Sequence, residues 1–146
     1  MKAWRIILIL ICLAGAGIAN GVMDTLQFHY PNSRFAKLSK EQQLYWNPAI
    51  SWENKYEKNL DGSLVQPLRA AFPGSVTVLS FITDGWHLMK FFYTNLVRVA
   101  FVLILSAYWK PRVGGSFLKL LFWIGVWGVA FTVQSAGFHL MYTIIL

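Results

Sequence analysis

Hydrophobic and polar positions fall in long blocks along this chain. From Ile6 to Met23 there are 18 residues without a charged side chain, preceded by Lys2 and Arg5. As a helix that run is long enough to cross a hydrocarbon core about 30 Å thick. Residues 24–75 are polar and carry four of the five prolines. A second apolar block ends at Tyr108-Trp109, before Lys110-Pro111-Arg112, and reads back as helix to at least Thr83, with Ser75 placed to cap an earlier, shallower piece. A third begins near Ser116, and its 27 residues from Leu120 onward are uncharged. Those 27 residues would measure about 40 Å as a helix, more than one crossing needs, so the element tilts or projects beyond the bilayer.

This pattern predicts an all-α membrane protein, one membrane domain over residues 1–146. Its transmembrane helices are expected at about 5–23, 83–109 and 116–142, with an amphipathic, aromatic outer segment at 24–75 and a short loop at 110–115. A cleaved signal peptide is the competing reading of the first block, because Ala14-Gly15-Ala16 resembles a small-residue cleavage site. The length of the run and the Gly17-x-x-x-Gly21 spacing, which suits close helix packing in lipid, favour a retained span.

Composition narrows the class. Apolar residues make up 56 % of the 146, charged residues 13 % and aromatic residues 16 %, with a mean hydropathy of +0.48. The charged share is about half that of soluble domains, which excludes disorder, coiled coil and nearly every soluble enzyme fold. The single cysteine, Cys12, excludes an internal disulfide framework and a cysteine-based zinc knuckle.

A net charge of +7 would suit nucleic acid, but no contiguous basic face lies on a water-exposed element, so no nucleic-acid partner is expected. The charge instead bears on orientation. Lys2 and Arg5, and likewise Lys110, Arg112 and Lys119, have no acid beside them, whereas 24–75 holds six basic and five acidic residues. The positive-inside rule then puts the N-terminus in the cytoplasm of a bacterial inner membrane, with 24–75 and the C-terminus outside.

Within 24–75, Ser39-Lys40-Glu41-Gln42 reads as a capping box behind Leu38, opening a short helix that Asn47-Pro48 stops. Asp61-Gly62 and Pro73-Gly74 read as turns. The many rings of the segment suit a layer on the lipid headgroups. Asn54 and Lys55, with Trp52 or Tyr56 stacking beside them, are candidates to bind a phosphate or a sugar. The plainer account is a turn and short helix pinned to the membrane by Trp52.

Polar residues inside apolar blocks carry the chemistry. Asp84, His87, Asn95 and Arg98 share one helix face, and the third block holds Gln134, Ser135 and His139. Counted from the inner edges of their helices, His87 and His139 stand at about the same height, roughly 33–34 Å up. Asp24 and His29 follow the first span directly. Asp24, His29, Asp84, His87 and His139 are therefore expected near the outer interface as candidate ligands of a divalent metal such as zinc, which would activate water for hydrolysis. Interfacial histidines bonded to headgroups or backbone are the plainer alternative, and no HExxH run is present. Arg98 falls near mid-membrane, where it snorkels or contacts protein, and with Gly17 and Gly21 it is a candidate contact for other membrane subunits.

The run Asn47-Pro-x-x-Ser51-Trp52-x-Asn54-Lys55-Tyr56, then Phe72-Pro73-Gly74-Ser75 and Thr83-Asp84-Gly85-Trp86-His87, resembles a group of small integral membrane proteins of bacteria and their phages. That resemblance spans about residues 24–90. It implies an integral membrane protein and carries no activity with it. Three functional readings stand: a metal site that binds or hydrolyses a lipid or envelope substrate, an accessory subunit of a larger membrane complex, and a holin-like pore former.

Overall fold

In the computed structural model, residues 3–112 and 114–145 are described, except for the side chains of residues 134, 135 and 137–145. The described residues are mostly helical, and no strand occurs among them. Three helices are long and apolar enough to cross a membrane: α1 (Ala3–Phe28), α4 (Gly85–Tyr108) and α5 (Ser116–Ile145). Between α1 and α4 lie two short α-helices, α2 (Lys40–Trp46) and α3 (Pro48–Ser51), and several single 3-10 turns.

The helix ends follow backbone physics more than polarity. α1 continues five residues past the expected end at 23, because a charge such as Asp24 is costly in hydrocarbon yet leaves the helical backbone bonds intact. Thr25 donates its hydroxyl to the Gly21 carbonyl at 2.8 Å, and His29 closes the last turn through a 3.0 Å bond to Thr25. α2 begins at the expected capping box: the Ser39 hydroxyl accepts from the Gln42 N–H, and the Gln42 side chain accepts from the Ser39 N–H. Asn47 ends α2 and caps α3 through its side-chain oxygen, with Pro48 in the first helical position, where a missing N–H costs nothing.

The chain forms two compact units. One comprises Met1–Ala14 and Asn95–Leu146. Its core is Ile9, Cys12 and Ala100, with Leu96 and Leu103 packed against them. Arg98 is 8 % exposed and lies over the Phe131 ring, 4.6 Å from its centroid, and over Trp127 at 5.7 Å. It thus makes protein contacts of the cation–π type, which desolvation strengthens.

The other unit, Gly15–Thr94, is held together by side chains reaching distant backbone. Residues 55–71 fold back on themselves: Glu57 and Ala71 donate to Arg69 and Lys55 at 2.9 and 3.0 Å, and Gly62 turns the tip with φ +85°. Ser75, fully buried, donates its hydroxyl to the Lys55 carbonyl at 2.7 Å. Asn54 donates to the carbonyls of Leu44 (2.8 Å) and Thr83 (3.1 Å), which joins α2 to the residue before Asp84. Trp46, flanked by Phe35 and Tyr45, lies against the Gly85 backbone, where a methyl group would overlap its ring. These contacts set where α4 starts.

Candidate functional site

Asp84 occupies the position just before α4 and is 2 % exposed. One carboxylate oxygen accepts the backbone N–H of His87 at 2.9 Å, which makes Asp84 the N-cap of the helix. The other lies 2.7 Å from His87 Nδ1 and 3.2 Å from the Thr83 hydroxyl. An ionised carboxylate only accepts, so Nδ1 carries the proton, and whenever the ring is neutral Nε2 keeps its lone pair.

Burial pushes the Asp84 carboxyl up. The hydrogen bonds from the His87 ring and backbone, attraction to that ring, and the Thr83 hydroxyl together outweigh burial and hold it below its ordinary value. Burial, with the Asp84 charge second, pushes the nearby Tyr45 phenol up, so it stays protonated at neutral pH.

His87 is 27 % exposed and opens onto a cavity of about 270 Å³. Pro48, Trp52 and Trp86 give it mostly apolar walls, and Gln27, Ser51 and Asp84 add polar groups. Trp86 also meets the His87 ring edge-on at 5.1 Å and carries the Lys90 ammonium over its face at 5.0 Å. An oriented imidazole beside apolar walls can take a proton from a bound nucleophile or hold a cation at Nε2.

The expected site residues fare differently. Asp84 and His87 come together by bonding to each other. Asp24 and His29 form a separate, exposed contact at 3.9 Å, with side chains 58 % and 67 % exposed. No group of three or more His, Cys, Asp or Glu side chains suited to a metal gathers among the described residues, and the side chain of His139 lies outside them.

Of the proposed phosphate or sugar binders, Trp52 lines the cavity and meets Tyr56 edge-on at 6.0 Å. Asn54 holds backbone carbonyls, and the Lys55 ammonium lies 5.9 Å above the Tyr56 ring. Arg98 belongs to the other unit and contacts aromatic rings there. At Gly17 and Gly21, an added Cβ would meet no described atom within 4 Å beyond the helix's own nearby backbone and chain neighbours.

Ser51, Gln27 and Trp86 line the cavity without having been among the expected site residues. Ser51 and Trp86 carry a signal in the Asn-Pro-x-x-Ser-Trp and Thr-Asp-Gly-Trp-His runs, whereas Gln27, near the end of an apolar helix, carries none.

The fold defines an all-α membrane protein. No family model, curated protein or solved structure matches the chain.

Proposed function

We propose that this membrane protein binds a lipid or envelope ester in the cavity beside His87 and hydrolyses it by general-base catalysis. One observation carries the reading: the buried Asp84 carboxylate bonds Nδ1 of His87, and His87 lines a largely apolar cavity. In the proposed step, Nε2 takes a proton from water as its oxygen attacks the ester carbonyl. The imidazolium, steadied by Asp84, returns that proton to the leaving alcohol, and acid and alcohol are released. Trp52, Trp86 and Pro48 would hold the acyl chain. The Ser51 hydroxyl, which lines the same cavity, is the other candidate nucleophile.

The unbalanced charges of Arg5, Lys110, Arg112 and Lys119 support a cytoplasmic N-terminus, which would put this cavity on the outer face of a bacterial inner membrane. The resemblance of the Asn47–Tyr56, Phe72–Ser75 and Thr83–His87 runs to small bacterial and phage membrane proteins fits that setting.

The test is purified protein in neutral detergent with p-nitrophenyl esters of increasing chain length. Loss of about 100-fold or more in rate in His87→Ala, and a large loss in Asp84→Asn, is expected. Wild-type turnover no faster than that of His87→Ala would overturn the reading. Fluorophosphonate labelling that requires Ser51 would assign the nucleophile to the chain, and its absence would assign it to water.

A second reading rests on the same bond. A carboxylate behind Nδ1 is the arrangement that supports a histidine ligating a metal through Nε2, with zinc as the expected ion. In that case Asp84 would orient the ligand rather than bind the ion. Zinc that copurifies in stoichiometric amount and disappears in His87→Ala would favour this reading.

A further inference from the structure

The unit containing Met1–Ala14 and Asn95–Leu146 has no Asp or Glu. Three of its cations, Arg5, Lys110 and Lys119, line one cavity of about 180 Å³, whose walls include Trp109 and Trp123. Arg5 gives one N–H to the Ser106 carbonyl at 3.0 Å, while its Nε is buried with no hydrogen-bond partner among the described residues. A guanidinium has five donors, and the bond to Ser106 uses only one of them. Lys110 also borders a second hollow with Arg112, Trp109 and Phe122.

Apolar grooves adjoin both basic hollows. Trp123 is shared with a groove of about 260 Å³ lined by Val99, Leu103 and Ile124. Trp109 and Phe122 are shared with a larger one, about 810 Å³, along Phe101, Val126 and Val129. A concentrated positive site flanked by apolar channels fits an amphiphile with an anionic head. Inorganic phosphate alone would leave the grooves without a role.

We propose that Arg5, Lys110 and Lys119 bind the phosphate of an anionic phospholipid, whose acyl chains lie in the grooves beside Trp123 and Trp109. Basic pockets between transmembrane helices recognise such headgroups by charge. This site is independent of the cavity at His87.

The full chain, purified in neutral detergent, would be titrated by native mass spectrometry with phosphatidylglycerol, phosphatidylcholine of the same chains, and inorganic phosphate. Phosphatidylglycerol should bind at least about ten-fold more tightly than phosphatidylcholine, and affinity should fall about five-fold for each charge removed in Lys110→Gln and Lys119→Gln. Both lysines are exposed, so these variants should fold, and Lys110→Arg should retain binding. Equal binding of the two lipids, or unchanged affinity in the double Gln variant, would overturn the proposal. Displacement of phosphatidylglycerol by inorganic phosphate at equal concentration would show a site for free phosphate and overturn the lipid assignment.

Discussion

The Asp84 carboxylate bonds His87 twice, once at the backbone N–H (2.9 Å) and once at Nδ1 of the ring (2.7 Å). One buried side chain therefore starts α4 and orients the imidazole that faces the cavity. The two tasks separate by substitution. Asparagine caps a helix about as well as aspartate but brings no charge to the ring. Asp84→Ala should destabilise the protein by about 1–3 kcal/mol, and Asp84→Asn by clearly less, in thermal melts in detergent. In the ester assay both should be impaired. Equal melting of the Ala and Asn variants would show that capping contributes little.

Acid should weaken the same contact. Because the Asp84 carboxyl is held below its ordinary value in the folded chain, its contribution to stability is complete above the unfolded value of about 3.9. It is lost as pH falls through the lower, folded value. The difference in melting temperature between wild type and Asp84→Asn should persist down to about pH 5 and shrink below about pH 4. A difference that vanishes already at pH 6 would contradict the assignment.

Gly85 tests the packing at the start of α4. A methyl group at this position overlaps the Trp46 ring, so Gly85→Ala should cost about 1–3 kcal/mol and shift tryptophan fluorescence. Trp46→Leu makes room, so the double variant should lose less than the two single losses combined. Additive losses in melts would mean that the ring and the glycine do not meet.

Asn54 joins α2 to the corner before α4 through two carbonyls, Leu44 and Thr83. Asn54→Ala should destabilise by about 1–3 kcal/mol, because two acceptors lose their donor. Asn54→Asp should do no better, since a carboxylate has no N–H to give. Hydrogen exchange at the start of α4 should rise in both variants, and unchanged exchange would remove this role.

Arg98, 8 % exposed over Phe131, offers a further check. Lysine keeps the charge and loses the planar group that stacks on rings. Arg98→Lys should cost about 0.5–2 kcal/mol, and Phe131→Leu should cost less in the Arg98→Lys background than in wild type. Melts of the four proteins measure that coupling.

Features governed by nearest neighbours were legible in the residues. The three apolar helices, the capping box at Ser39, the stop at Asn47-Pro48 and the turns at Gly62 and Gly74 each depend on side chains within a few positions of one another. The candidate site was legible in part. Spacing put Asp84 and His87 on one face, because three residues are nearly one helical turn, but spacing does not say whether two such groups face a third body or each other. That outcome follows from the buried helix start, whose free N–H groups draw the carboxylate inward.

Residue type, likewise, made Asn54 and Lys55 candidate ligand binders beside the plainer account of a turn and a short helix. An amide that can reach a sugar can equally reach a backbone carbonyl left unpaired by folding, and in Asn54 it bonds Thr83, 29 positions away. Nothing in the sequence around Asn54 names that partner.

The chain's residues, taken by themselves, determined the class of protein: long uncharged runs must become helices in lipid, where each backbone N–H and C=O has to be satisfied within its own segment. Tertiary structure decided which polar groups meet. Trp46 reached Gly85, Ser75 reached the Lys55 carbonyl, and Ser51, Trp52 and Gln27 gathered around His87. Those meetings depend on how loops of many residues close on one another and on which backbone groups remain unpaired when they do. Local pattern carries no information about either.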